Sequence, residues 1–306
     1  MEIGLCMVVK DEGAQLSACL EPIAEFFAQI VVVDTGSTDD TAAILQEMGI
    51  TPVNAQLQAE RCYCLQDPRK TGLRQLTTPW VMFLDADERI DPASLHYLRN
   101  LPDRPGVAGY FGTWLNHPAN GPQFNDYKLF LFRHGLEPVG LVHDNVQLDI
   151  RRRGARAEWL DELVVEHFPV AARTPHKKSF YRQRLLCAIA REPNFLRYYW
   201  FLGYMDFLEG NHGKAESLLR RTALSRSRTF PVECLNSTMV LAAIYTRTGR
   251  ESQAEGLLSH GLEFYDSVRD DFEVAINRDL EAWLNTALQQ CRGGDAHRIT
   301  PPRFAC

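Results

Sequence analysis

The sequence predicts an α/β domain built on a mostly parallel sheet, followed by an all-α helical domain. In the first half, short apolar runs rich in β-branched residues alternate with segments of helical periodicity, which is typical of βαβ units. From about Pro175 to Gln290 the periodicity is almost entirely helical. The length of 306 residues leaves room for about two domains.

The elements of the first half follow one another in the order expected for such a sheet. Apolar runs predict strands over 3–9, 30–33, 51–53 and 80–84, and helical spacing predicts helices over 13–27, 39–48 and 68–76. Strands over 107–114 and 128–132, separated by loops rich in glycine and proline, indicate a more mixed region. A strand-like segment over 164–168 ends the domain.

The helical half contains two similar helix pairs. Ala215 and Ala254 occupy matching positions 39 residues apart, and small residues at Gly203 and Ala242 would let the paired helices approach closely. The pattern resembles tetratricopeptide repeats, with a longer period than usual. We expect domains over 1–172 and 173–295 and a tail over 296–306. Because two helix pairs are few for an independent solenoid, they would pack on the first domain or form a homodimer.

Composition narrows the function classes. The formal charge is −6 and the sequence pI is about 5.9, so broad binding to nucleic acid is not expected. No apolar stretch approaches the roughly 20 residues of a membrane span, and the first residues do not look like a signal peptide. The eight cysteines form no paired CxxC motif. We therefore expect a cytoplasmic protein with reduced thiols and no zinc site.

Carboxylates follow two of the predicted strands at the point where each strand ends. Asp85 and Asp87 follow the run 80–84, and Asp34 follows the run 30–33. Ligands of open α/β sheets bind outside the carboxyl ends of the strands, and carboxylates there suit Mg²⁺ or Mn²⁺ carrying a diphosphate. The alternative is that the pair is a solvated strand end and that Asp34 only initiates a turn.

Three segments together resemble family 2 glycosyltransferases with a GT-A fold, in the bacterial subgroup that carries a tetratricopeptide-like tail. The segment 6–12 (Cys-Met-Val-Val-Lys-Asp-Glu) is similar to that subgroup's opening, with Asp11 in place of the usual Asn. The segment 33–41 resembles its nucleotide-binding turn, and 85–88 (Asp-Ala-Asp-Glu) resembles its DxD motif. The resemblance covers roughly residues 3–185.

The resemblance implies the residues that would bind the nucleotide of a sugar donor. Asp34 would hold the uracil and ribose, and the backbone near Val8 and Val9 would line the base. Glu12, just past the same strand, would face the ribose. Arg69 matches the arginine of the family's Arg-Asn pair and would contact the diphosphate or the uridine.

The resemblance also implies a divalent cation, Mn²⁺ or Mg²⁺. Asp87, the second acid of the motif, would bind the cation directly, and Asp85 would contact the ribose or sugar or reach the cation through water. His167 would complete the metal shell, although a histidine at a strand end is also a common structural feature. Lys178, in a basic stretch of the next helix, would close over the diphosphate or lie on a solvated helix face.

Inversion at the anomeric carbon needs a base that deprotonates the acceptor. The segment 140–144 (Gly-Leu-Val-His-Asp) is similar to the family's Gly-x-x-His-Glu, with the shorter Asp144 in place of Glu. We therefore expect Asp144 to be the base. His143 would hydrogen-bond the sugar or support the base, or be structural.

Together these features predict an inverting, metal-dependent glycosyltransferase that transfers a hexose from UDP-glucose or UDP-N-acetylglucosamine to a protein or peptide acceptor. One alternative is a glycosyltransferase of lipopolysaccharide core or another glycan. An alternative of another class is a catalytically silent adaptor whose repeats bind a protein partner. A nucleotidyltransferase is less consistent, because the first strand is not followed by a glycine-rich, basic phosphate loop.

Overall fold

The structure is a computed structural model that describes residues 1–118, 121–169, 174–277 and 279–304, without the side chains of residues 174–177. The chain divides into two compact units, Met1–Arg184 and Leu185–Cys306. The first is α/β and the second is all-α in its described part, which confirms the predicted fold class. The predicted domain boundaries at 172 and 295 stay predictions.

The first unit is organised around one eight-stranded sheet in the order β3-β2-β1-β4-β7-β6-β8-β5. Four of the seven neighbouring pairs are parallel, and β7 is antiparallel to both of its neighbours, as β5 is to β8. The sheet is thus mostly parallel on one side and mixed on the other, as predicted. Its strands are β1 (Ile3–Val9), β2 (Gln29–Asp34), β3 (Val53–Asn54), β4 (Trp80–Phe83), β5 (Glu88–Ile90), β6 (Val107–Asn116), β7 (Phe124–Arg133) and β8 (Arg156–His167).

The helices of this unit connect and cover the strands. The first predicted helix ends early, at Leu20, and only a short 3₁₀ turn follows over Ala24–Phe26. Pro22 explains the break, because proline has no backbone N–H with which to continue the helical hydrogen bonds. The helices are α1 (Gly13–Leu20), α2 (Thr41–Glu47), α3 (Gln66–Leu73), α4 (Pro92–Asn100), α5 (Gln147–Arg152) and α6 (Thr174–Arg191), which runs past the limit of the unit.

The core forms around the central parallel strands. In β1 all residues but Val8 are buried, which explains why the strand is a continuous apolar run. Its side chains Leu5 and Met7 join one cluster with Leu16 and Leu20 of α1 and Met82 of β4. This packing fixes the carboxyl ends of β1, β2 and β4 along one edge.

A bulge shifts the pairing of β6 with β8. Between Phe111 and Thr113 strand β6 advances two residues, while β8 advances five, from Trp159 to Val164. Three extra residues of β8 are therefore looped out. A Cβ atom on Gly112 would lie 2.4 Å from the carbonyl oxygen of Leu163, so the bulge needs a glycine here. Beyond the bulge Asn116 lies opposite His167.

The second unit consists of helices packed in sequence order. Helix α8 packs against α7 and α9, and α10 against α9 and α12. A Cβ atom on Gly203 would lie 2.8 Å from Leu219 Cγ, which bears out the close approach predicted for this pair. None of the helices in the described ranges combines the length and the apolar character of a bilayer span. The helices are α7 (Leu196–Leu208), α8 (His212–Ala223), α9 (Pro231–Arg247), α10 (Glu251–Val268), α11 (Phe272–Ala275) and α12 (Leu280–Arg292).

The cysteines differ from the sequence-based expectation in one respect. Cys62 is disulfide-bonded, so the expectation of reduced thiols is wrong for this cysteine. Cys6, Cys19 and Cys64 are free thiols in the first unit.

Candidate active site

The turn after β2 is ordered by Asp34. Its Oδ1 accepts hydrogen bonds from the backbone N–H groups of Gly36 and Ser37, at 3.0 and 2.8 Å, and from the Ser37 hydroxyl at 2.8 Å. The residue is buried, with 5% exposure. The turn-forming role considered for Asp34 is therefore present, and its contact with a nucleotide stays a prediction.

The loop after β1 is tied to this turn by cross-hydrogen bonds. The Asp11 carboxylate accepts from the Thr38 N–H at 2.7 Å, and the Glu12 N–H donates to the Thr41 hydroxyl at 2.8 Å. Val9 lies opposite Asp34 in the β1–β2 register, and its carbonyl accepts from the Thr35 hydroxyl. The residues predicted to bind the nucleotide thus lie close together at the carboxyl ends of β1 and β2. They are Val8, Val9, Glu12 and Asp34.

The motif 85–88 forms the turn between β4 and β5. Glu88 is fully buried, and its carboxylate accepts from the Asp85 N–H at 2.9 Å and from Lys128 Nζ at 2.6 Å. The same Nζ lies 3.1 Å from Asp85 Oδ2. The aromatic faces of Trp114 and Phe130 also lie within 5.4 Å of this ammonium group. Lys128 therefore joins the two carboxylates that frame the turn.

This charge pairing explains the ionisation of the three groups. Desolvation alone would raise the pKa of Asp85, but the Lys128 and Arg69 cations hold it well below its usual range. Burial raises the pKa of Glu88 despite the contact with Lys128. Desolvation would lower the pKa of Lys128, but the two carboxylates outweigh it and raise that pKa.

Asp87 and His167 meet on the other side of the motif. His167 Nε2 lies 3.5 Å from Asp87 Oδ2, and its Nδ1 lies 2.8 Å from Asn116 Oδ1. Because the Asn116 amide nitrogen donates to the Trp114 carbonyl, its oxygen faces the ring, and an amide oxygen can only accept. Nδ1 therefore donates to Asn116, and Nε2 is the ring nitrogen that faces the Asp87 carboxylate.

This donor set fits a divalent cation. A histidine that donates through one nitrogen to a fixed acceptor and faces a carboxylate with the other is typical of metal ligands. Within the described ranges, no cluster of three or more His, Cys, Asp or Glu side chains forms a complete metal site. The protein would thus supply Asp87 and His167, and the donor phosphates would supply further oxygen ligands.

Arg69 forms an ion pair with Asp144 and also faces Asp85. Arg69 Nη1 lies 2.5 Å from Asp144 Oδ1, and Nη2 lies 3.8 Å from Asp85 Oδ1. The guanidinium lies over the ring of Phe83, 5.3 Å from its centroid. The Asp144 side chain is only 3% exposed, and its Oδ2 is buried with no hydrogen-bond partner among the described residues.

The remaining predicted site residues are His143 and Lys178. His143 has a left-handed backbone, with φ of 50°, and its ring makes an edge contact with Tyr181 of α6 at 4.9 Å. Lys178 is exposed on α6, and no contact with the site is seen in the described part of the chain. The structure thus brings together Asp85, Asp87, His167, Arg69 and Asp144 along the end of β4.

Sequence reasoning missed two residues of this site, Lys128 and Asn116. Lys128 stands within the apolar stretch 127–132 (Tyr-Lys-Leu-Phe-Leu-Phe), and a lysine in such a run needs an acidic partner. That signal could have found it. Asn116 carried no comparable signal, because its contact with His167 depends on the bulge between β6 and β8.

The structure has an α/β sheet with carboxylates along the carboxyl ends of its central strands, and comparison of the sequence identifies the family. The sequence pattern of "Glycosyl transferase family 2" matches residues 5–161, which is about half of the chain. The chain belongs to glycosyl transferase family 2, and the region that follows the matched residues is largely helical.

Two relatives extend this result. The lipopolysaccharide core biosynthesis glycosyltransferase LpsC of Rhizobium meliloti is 37% identical over 163 residues, covering 52% of this chain and 54% of that protein. A TPR repeat-containing protein of Synechococcus elongatus is 31% identical over 109 residues, covering 36% of this chain and 26% of that protein. The chain therefore spans about half or less of the length of these relatives.

Two solved structures are similar at lower levels. Staphylococcus aureus TarS (residues 1–349) has a TM-score of 0.45 at 14% identity, covering 95% of this chain and 92% of that one. The glucosyl-3-phosphoglycerate synthase of Mycobacterium tuberculosis, in complex with Mn²⁺, UDP and glucosyl-3-phosphoglycerate, has a TM-score of 0.43 at 15% identity, covering 62% and 79%. No residue role is taken from either likeness.

Proposed function

We propose that this glycosyltransferase is an inverting, metal-dependent hexosyltransferase that uses a UDP-sugar, UDP-glucose or UDP-N-acetylglucosamine. One observation carries the proposal: His167, whose Nδ1 is held by Asn116, faces Asp87 with Nε2 across 3.5 Å, next to the turn whose Asp85 is paired with Arg69 and Lys128. The nucleoside would be held at the carboxyl ends of β1 and β2, by Asp34 together with Val8, Val9 and Glu12.

Asp87 and His167 would hold Mn²⁺ or Mg²⁺ together with the donor diphosphate. When bound, the cation would neutralise the charge that builds on the leaving nucleotide. Lys128 is a fixed cation paired with Asp85 and Glu88, and it would add attraction for the diphosphate. Asp85, held ionised by Lys128 and Arg69, would accept hydrogen bonds from the sugar or ribose hydroxyls.

Asp144 is the proposed base. Its Oδ1 is held by Arg69, and its buried Oδ2 lacks a partner among the described residues. Oδ2 would take the proton of the acceptor hydroxyl as that oxygen forms a bond to the anomeric carbon. The bond from this carbon to the diphosphate oxygen would break on the opposite face, and the nucleoside diphosphate would leave with the electron pair. A single displacement of this kind inverts the anomeric configuration.

Two acceptor classes have separate support. The identity with LpsC, a lipopolysaccharide core enzyme by its name, favours a core oligosaccharide or a similar glycan. The repeat-like helical unit and the likeness to a TPR repeat-containing protein favour a protein or peptide acceptor. We propose the glycan acceptor first, because the LpsC match covers more of this chain than the TPR match.

The experiment is a transfer assay with purified protein, a panel of nucleotide sugars, and core oligosaccharide or peptide acceptors. Activity should require Mn²⁺ or Mg²⁺, and EDTA should abolish it. Asp144→Asn should lower kcat by about 10²–10⁴, the usual contribution of a general base, while UDP binding stays nearly unchanged. The anomeric configuration of the product, read by proton NMR, should be inverted.

Three results would contradict the proposal at different points. Full activity in EDTA would remove Asp87 and His167 from a metal site. An equal loss of UDP binding and of transfer in Asp144→Asn would make Asp144 a donor-binding residue. A product with retained configuration would exclude the single displacement. Arg104→Met, which breaks an ion pair with Glu158 just before β6 and away from the carboxyl ends of the strands, is the matched control and should keep wild-type activity.

A further inference from the structure

We propose that Arg69 is a positioning residue for the base, and not mainly a ligand of the donor. It would hold Asp144 by Oδ1 so that Oδ2 is the oxygen that meets the acceptor hydroxyl. Its second nitrogen faces Asp85 and would tie the base to the donor motif. The inference rests on the proposed role of Asp144 as the base. It adds a residue that holds this base in place, which that role alone does not require.

The first argument is geometric. Nη1 of Arg69 contacts Asp144 at 2.5 Å, and Nη2 faces Asp85 at 3.8 Å. The guanidinium is planar and presents its donors in a fixed fork, and here its plane is also supported by the Phe83 ring. A movement of Asp85 would thus reach Asp144 through the planar guanidinium.

The second argument comes from the unpartnered oxygen. Burying a carboxylate oxygen without a hydrogen-bond partner is unfavourable, because its lost contacts with water are not replaced. The Asp144 side chain is only 3% exposed, and yet Oδ2 has no hydrogen-bond partner within the described residues, although the Arg184 cation also acts on this carboxylate at longer range. Arg69 carries five N–H donors, and of the two Asp144 oxygens it hydrogen-bonds only Oδ1. A ligand hydroxyl would satisfy Oδ2, and that is the group that a base must meet.

The third argument concerns the row of charges to which Arg69 belongs. Glu88, Lys128, Asp85, Arg69 and Asp144 alternate in sign, and successive members lie between 2.5 and 3.8 Å apart. The row extends from the turn of the donor motif to the base. Arg69 is the member that joins the two, because it contacts both Asp85 and Asp144. A donor that engages Asp85 would therefore also affect the position of Asp144.

The test compares three variants by transfer kinetics, by UDP–Mn²⁺ affinity from calorimetric titration, and by thermal unfolding. Arg69→Met should lower kcat about 10²-fold, the scale of a misplaced reacting group, with UDP–Mn²⁺ affinity close to that of the wild type. Arg69→Lys keeps the cation but lacks the rigid planar fork that fixes the geometry between the two carboxylates, and should lower kcat about tenfold. The double variant Arg69→Met with Asp144→Asn should be no slower than Asp144→Asn alone, because residues that act as a unit are non-additive.

The outcomes separate the alternatives. If UDP–Mn²⁺ affinity falls as far as kcat, Arg69 is a donor ligand and the inference fails. Additive losses in the double variant would indicate a merely structural role and overturn it too. If Arg69→Met does not fold, a wild-type kcat in Arg69→Lys would overturn it. If Asp144→Asn alone keeps full transfer, the proposed base is wrong, which is a different failure. Arg104→Met controls for loss of an arginine ion pair at the other edge.

Discussion

Two contacts orient the His167 ring for the proposed binding of a cation. Asn116 is 4% exposed and holds His167 Nδ1 at 2.8 Å, while the Trp114 indole stacks on the ring at 4.7 Å. These two contacts fix both the tautomer and the plane of the imidazole. Asn116 thus acts on the proposed metal site through His167.

Asn116→Leu should weaken Mn²⁺ binding about 10–100-fold, the usual effect of losing a partner of a metal-ligating histidine. Without the amide oxygen, Nδ1 loses its acceptor and the ring is free to rotate or to change tautomer. The measurement is a titration followed by electron paramagnetic resonance of free Mn²⁺. Asn116→Asp is the matched control, since a carboxylate oxygen also accepts from Nδ1, and it should keep most of the affinity. Unchanged binding in Asn116→Leu would show that His167 is not a ligand.

The ion pair between Lys128 and Glu88 is expected to stabilise the folded protein. Glu88 is fully buried, and Lys128 Nζ at 2.6 Å is its cation. Lys128→Met should therefore lower the free energy of unfolding by about 3–5 kcal/mol, because it leaves a buried carboxylate uncompensated. Urea unfolding measures this change.

A second substitution shows whether the unpaired charge is the cause. In Lys128→Met with Glu88→Gln the buried group is neutral, so much of the lost stability should return. Lys128→Arg keeps the cation and should stay close to the wild type. If the double variant is as unstable as Lys128→Met, the loss comes from packing against Trp114 and Phe130.

At the scale of residues, the sequence predicts the groups that follow strands and misses those that lie within them. Asp34, Asp85 and Asp87 are visible because each breaks an apolar run at its end. The ion pair between Arg69 and Asp144 joins residues 75 positions apart, and no local pattern indicates such a contact. Both residues were expected in the site, but not in contact with one another.

At the scale of elements, the proposed metal site depends on the register of one strand pair. From Phe111 opposite Trp159, an unbroken register would place Asn116 opposite Val164. The three extra residues of β8 instead place it opposite His167. Because side chains alternate between the faces of a strand, an odd shift also exchanges the faces. The bulge is thus what brings Asn116 and His167 together.

Gly112→Ala should destabilise this part of the sheet by about 1–3 kcal/mol, the cost of forcing atoms into a filled space. The new Cβ would meet the Leu163 carbonyl oxygen, which is backbone and cannot rotate away. Urea unfolding gives the loss of stability, and Mn²⁺ titration should show weaker binding because the register beyond the bulge is disturbed. Gly135→Ala controls for glycine loss: its position is open but has φ of +87°, so it should cost stability without affecting Mn²⁺. Wild-type behaviour of Gly112→Ala would contradict this account.

The elements themselves were largely predictable, and the reasons are local. Strand β1 was predicted at its observed limits, Ile3–Val9, because a central parallel strand is apolar throughout. Strand β8 was recognised only over 164–168, although it begins at Arg156. Its earlier part mixes charged and apolar residues because of the bulge and the partly exposed faces, so neither periodicity is clear there.

At the scale of the whole molecule, the proposed donor residues belong to the unit Met1–Arg184. UDP with Mn²⁺ should therefore raise the unfolding temperature of that unit, by a stabilisation of about 2.7 kcal/mol at a ligand concentration 100 times Kd. Differential scanning calorimetry measures it. If the two units unfold in separate transitions, only one should move. EDTA should abolish the shift by UDP, and the lack of any shift at saturating UDP and Mn²⁺ would contradict the assignment of the site.

The stacking of Trp114 on His167 gives the enzyme an internal optical probe. The chain has five tryptophans, and this indole lies against the imidazole with ring centroids 4.7 Å apart. A paramagnetic ion held by that imidazole would sit close enough to quench the emission of Trp114. Occupancy could then be followed by fluorescence in the unlabelled enzyme, in real time and before any sugar is transferred.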